Sequence, residues 1–109
     1  MKQEMILRIN EAMQNIRISN RSGSHMSCIR LNPGCSDAHN MKIVELSMEF
    51  LRNKIPFYTE AILLSGGRPD LFLPATNEIY EILHTETDEM LEHKIKKYPS
   101  KFRIIKVRV

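Results

Sequence analysis

The chain has 109 residues, 42% hydrophobic and 27% charged, which suits one domain with a modest core. Its longest uninterrupted apolar run, Ala61 to Leu64, excludes a membrane-spanning segment. No apolar signal region follows the opening Met-Lys-Gln-Glu. Cys28 and Cys35 have neither the spacing of a disulfide framework nor that of a zinc knuckle. The expectation is free thiols in a reducing, cytoplasmic setting.

The net charge is +3 and the pI about 9.0, a mild basic balance compatible with nucleic acid. Basic residues collect at the two ends, with Arg8, Arg17, Arg21 and Arg30 early and Lys94 to Arg108 late. Between them lies an acidic stretch containing Glu78, Glu81, Glu86, Asp88, Glu89 and Glu92. Basic flanks around an acidic centre suit a metal site within a phosphate-binding groove. They are equally consistent with a scatter of solvated charges.

In chain order, Met5, Ile6, Ile9, Met13 and Ile16 recur at helical steps and predict a first helix from Lys2 to about Ile18. Residues 19–36, rich in Ser, Asn, Gly and Pro, read as a long loop. Ser36 or Asp37 can cap a second helix running to about Asn53, with Pro56 beyond its end. Phe57 to Leu64 reads as a strand, Ser65-Gly66-Gly67-Arg68 as a tight turn and Asp70 to Leu73 as a second strand. After Pro74-Ala75-Thr76-Asn77, a third strand covers Glu78 to His84. Thr85 and Asp88 offer a capping box for a third helix from about Glu86 to Tyr98, and Phe102 to Val109 closes as a strand. Residues 1–35 thus form a helix and long loop, and residues 36–109 a compact core.

This αβββαβ order, with Pro69-Asp70 heading the second strand and Glu81 on the third, resembles the PD-(D/E)XK nuclease superfamily. That group includes restriction-endonuclease-like and Holliday-junction-resolvase-like proteins. The resemblance covers about Ser36 to Val109 and implies an α/β (α+β) restriction-endonuclease-like core carrying an extra N-terminal helix. It further implies a small endonuclease that binds DNA, hydrolyses phosphodiester bonds with Mg2+ or Mn2+, and works as a homodimer. Asp70 and Glu81 would hold the metal, with the carbonyl of Ile82 as a third ligand. Magnesium prefers oxygen donors and retains waters, so two side-chain ligands suffice.

One departure stands out. The family's lysine two residues after the glutamate is replaced here by Leu83. Helical projection from Leu91 puts Lys94 at the edge of the core-facing side, where it is either solvated or the substitute for that lysine. His39, near the start of the second helix, could contact phosphate or metal-bound water, or simply pack and cap. Glu45 projects almost opposite the apolar face and should be exposed.

Glu60 depends on the hairpin. A two-residue Gly66-Gly67 turn would pair Glu60 with Leu73 and turn it away from Asp70. One bulged residue near the glycines would reverse that parity. Arg17, Arg21, Arg30 and Arg68 are candidate phosphate contacts. Two other readings remain open: a nucleic-acid-binding module on an inactive nuclease fold, and an oligomeric protein using the first helix as a dimerisation arm.

Overall fold

The computed structural model describes residues 3–16 and 25–109. The elements are α1 (Gln3–Met13), α2 (Asp37–Arg52), β1 (Tyr58–Thr59), β2 (Leu71–Leu73), β3 (Glu78–Leu83), α3 (Asp88–Ile95) and β4 (Arg103–Arg108). Their order is the one the sequence predicts, in a mixed α+β fold. The sheet runs β1-β2-β3-β4, antiparallel except for the β3–β4 pair. That parallel pair follows from the α3 crossover, since parallel neighbours cannot be joined by a tight turn.

Side chains alternate across the sheet and split the core into two clusters. Leu71, Leu73, Ile82 and Phe57 pack against Ile43 and Phe50 of α2. On the opposite face Tyr58, Phe72 and Ile79 meet Ala12 of α1, together with Ile16, Tyr98 and Phe102. Helices therefore cover both sides of the sheet. Phe57, Phe72, Leu71 and Ile79 are fully buried, and each contributes about 1.5–3 kcal/mol in transfer from water.

Several boundaries differ from those read off the sequence. The first helix is shorter: beyond Met13 the chain turns, and Ile16 bridges to Leu63. This seats α1 on the core, where Ala12 is 1% exposed. The predicted strand from Phe57 to Leu64 contracts to Tyr58–Thr59. Glu60 takes φ +54°, which breaks the extended backbone, and Pro69 in the facing segment has no N–H to donate.

The second helix keeps its expected start, because the Ser36 hydroxyl accepts the His39 N–H at 3.1 Å. The third begins later than predicted. Thr87, not Thr85, is its cap, accepting the Met90 N–H at 3.2 Å. Glu86 lies outside the helix and accepts the His84 N–H at 2.8 Å. Past Ile95, single turns from Lys97 to Lys94 and from Tyr98 to Ile95 carry Tyr98 into the core.

Candidate active site

The hairpin between β1 and β2 decides what reaches the site. Gly66 donates its N–H to the Leu63 carbonyl at 2.9 Å, and Leu63 donates to Gly67 at 2.8 Å. The loop is therefore three residues, Leu64-Ser65-Gly66, with Gly66 at φ +98°, a conformation only glycine adopts without strain. The extra residue reverses the parity of a two-residue Gly-Gly turn. Tyr58 pairs with Phe72 and Thr59 with Leu71, so Glu60 falls beside Asp70 and its N–H reaches the Asp70 carbonyl at 3.5 Å. The condition on which Glu60 depended is met.

Asp70 stands immediately before β2. Extending the Leu71–Tyr80 pairing by one residue sets it opposite Glu81. Its Oδ2 accepts the Ile82 N–H at 2.8 Å. The N–H and C=O of one strand residue point the same way, so the Ile82 carbonyl is directed to the Asp70 side of β3. Leu83 faces the other way, its carbonyl accepting the Val109 N–H at 2.9 Å.

Glu81 is 1% exposed, an unusual place for a carboxyl group. Lys94 Nζ lies 2.7 Å from its Oε2, and the Tyr98 hydroxyl donates to Oε1. Burial and the nearby Asp70 outweigh Lys94 at the carboxyl and push its pKa up to about 7. The ammonium behaves differently: burial lowers its pKa, but Glu81 and Asp70 together more than reverse that, so Lys94 stays charged.

At Asp70 burial favours the neutral acid. The His39 hydrogen bond, the Lys94 charge and the Ile82 N–H overcome it and hold the carboxyl below its usual range. His39 Nε2 lies 3.3 Å from Asp70 Oδ1, and this contact raises the imidazole pKa against the effect of burial. His39 Nδ1 is buried with no hydrogen-bond partner among the described residues.

The segment before α2 brings Arg30 to the same place. Ser27 donates its N–H to the Phe57 carbonyl at 2.7 Å. The Thr59 hydroxyl donates to the Cys28 carbonyl at 2.9 Å and accepts the Arg30 N–H at 3.0 Å. Arg30 Nε then sits 3.5 Å from Glu60 Oε2.

These groups line one cleft of about 400 Å³. It gathers Asp70, Glu81, Ile82, Lys94, His39 and Glu60, with Arg30 and Arg68 among the lining residues. Arg17 and Arg21 lie outside the described residues. Glu45 is exposed and paired with Lys42 at 2.9 Å, as its helical projection requires. Leu83, 3% exposed, also lines the cleft and supplies no charge there.

The sequence places Tyr98 at the end of the third helix and assigns it no part in the site. Its spacing of four from Lys94 carried the missed signal, because residues i and i+4 share one helix face.

Hard oxygen donors dominate the centre, a chemistry suited to magnesium or manganese. Among the described residues no group of three or more His, Cys, Asp and Glu side chains is gathered to hold a metal ion. A bound divalent cation would thus rely on two carboxylates, peptide oxygen and water, which is compatible with magnesium's habit of retaining its waters. No family model, curated protein or solved structure matches the chain.

Proposed function

We propose that the protein is a small metal-dependent DNA endonuclease whose centre is the Asp70–Glu81 pair. The observation that carries this reading is the cross-strand placement of the two carboxylates, with the Ile82 peptide beside Asp70 and the Lys94 ammonium 2.7 Å from Glu81. Asp70, Glu81 and the Ile82 carbonyl would hold Mg2+ or Mn2+. Such an ion, when bound, neutralises phosphate charge and makes a coordinated water more acidic.

The chain's own residues have separate tasks. Lys94 supplies from α3 the positive charge that Leu83 cannot, and it orients Glu81. His39 holds Asp70 ionised and, as a residue of the cleft lining, would donate to a phosphate bound there. Arg30 and Arg68 offer the scissile phosphate and its neighbours charged contacts. The walls of the cleft exclude part of the solvent and strengthen these charge interactions. Action as a homodimer belongs to the same proposal.

The test is cleavage of linear, nicked and branched DNA in Mg2+ or Mn2+ by wild type and Asp70→Ala. Loss of wild-type cleavage in the variant is expected. Equal residual activity in the two proteins would refute the assignment.

Leu83 favours a second reading, binding without cleavage. A buried leucine at the position of the family lysine is what a nucleic-acid-binding module on an inactive nuclease-like fold would carry. That reading predicts salt-sensitive DNA binding that EDTA does not alter.

A further inference from the structure

Gly67 is buried, and an added Cβ there would lie 2.7 Å from Tyr98 Cδ1 and closer still to Cε1. Real side chains do not approach so closely, so the tyrosine ring occupies the volume that any other residue at 67 would fill. The backbone leading into the ring is tied to the same hairpin. The Ser65 hydroxyl, in the same hairpin, donates to the Lys97 carbonyl immediately before Tyr98. Two contacts thus dock the Leu64-Ser65-Gly66-Gly67 turn onto the residues that follow α3.

The far end of that ring meets the candidate centre. With Tyr98 7% exposed and wedged against Gly67, its hydroxyl reaches Glu81 Oε1 while Lys94 takes Oε2. The two donors come from positions four apart and leave the carboxylate little rotational freedom. Apolar packing alone does not require a hydroxyl at this position. A phenylalanine would fill the same volume against Gly67.

We infer that Tyr98 is a positioning residue for the Glu81 carboxylate, and that Gly67 is glycine so that the phenol can reach it. This inference rests on the proposed metal-dependent reading for its functional consequence, but not for its geometry. Groups that orient a metal-binding side chain from behind are typically worth about 10- to 100-fold in metal affinity or activity. The Gly-Gly pair accordingly serves two purposes, with Gly66 making the turn and Gly67 admitting the ring.

The experiment compares wild type, Tyr98→Phe and Gly67→Ala by crystallography and by Mn2+ titration followed by electron paramagnetic resonance. Tyr98→Phe keeps the ring and serves even where Gly67→Ala fails to fold. In Tyr98→Phe crystals the Glu81 carboxylate should rotate away from its wild-type orientation. Mn2+ affinity should fall about 10- to 100-fold. In DNA cleavage, kcat should drop while KM for DNA stays the same, a split that general loosening of the fold would not give. An unchanged Glu81 orientation in Tyr98→Phe overturns the positioning role. A wild type that neither binds Mn2+ nor cleaves DNA overturns the metal-dependent reading instead, and the crystal comparison still decides the role of Tyr98.

Discussion

Lys94 of α3 sets its ammonium 2.7 Å from Oε2 of Glu81, a carboxyl group that is 1% exposed. Lys94→Met removes that cation and leaves the acid with Tyr98 as its remaining side-chain donor among the described residues. A charge-assisted hydrogen bond of this kind is worth about 1.5–3 kcal/mol. The expected loss is of that order above about pH 7 and smaller near pH 5, where Glu81 takes up a proton and its demand for the cation falls. Urea denaturation of both proteins at the two pH values checks this. A loss independent of pH would contradict it.

The Glu81 carboxyl also has a direct signature in stability against pH. Its folded pKa is raised from an ordinary 4.5 to about 7, so the folded protein binds this proton more tightly than the unfolded chain. The resulting stabilisation is complete below the unfolded value and is lost as pH rises through the folded one. Relative to Glu81→Gln, which does not titrate, wild type should lose stability across that interval. The measurement is the difference in denaturant midpoints across a pH series. A flat difference would refute the assignment.

Glu60 holds φ +54°, a costly conformation for a residue with a Cβ. Glu60→Ala keeps the strain and loses the contact with Arg30, whereas Glu60→Gly loses the contact and relieves the strain. The glycine variant should be more stable than the alanine variant by about 1 kcal/mol. Thermal melts of the pair give the comparison, with equal midpoints as the contrary result. Both variants should cleave DNA less well than wild type if Glu60 serves the proposed chemistry.

The two adjacent glycines should respond differently to alanine. At Gly66 an added Cβ meets none of the described residues within 4 Å, so Gly66→Ala costs the backbone penalty of its φ of +98°, roughly 1–2 kcal/mol. At Gly67 the penalty is a collision with the Tyr98 ring. A second substitution, Tyr98→Leu, should recover part of the stability lost in Gly67→Ala and none of that lost in Gly66→Ala. Midpoints for the three single and two double variants provide the check, and equal recovery at both positions would sink it.

Much of the fold is legible in the sequence because its signals are local. The three- and four-residue steps of α1 and the Ser36 cap of α2 arise from hydrogen bonds and side-chain directions within a few residues. Legibility fails where two local signals are equivalent. Thr85 and Thr87 are both competent caps, and the choice falls to Thr87 because Glu86 is engaged by the His84 N–H. It fails again along Phe57 to Leu64, whose composition favours a strand throughout, while the positive φ at Glu60 and the facing Pro69 stop it after two residues.

By itself, then, the sequence determined the order of the elements and the nomination of Asp70 and Glu81 from their places at the head of one strand and within the next. Tertiary structure alone decided that the Gly66 turn spans three residues and brings Glu60 beside Asp70. It alone decided that Lys94 and Tyr98 both converge on Glu81. The physical reason is range. Periodicity and capping are set by neighbours along the chain, whereas hairpin parity turns on one backbone angle, and the surroundings of a buried carboxylate depend on how separate elements pack.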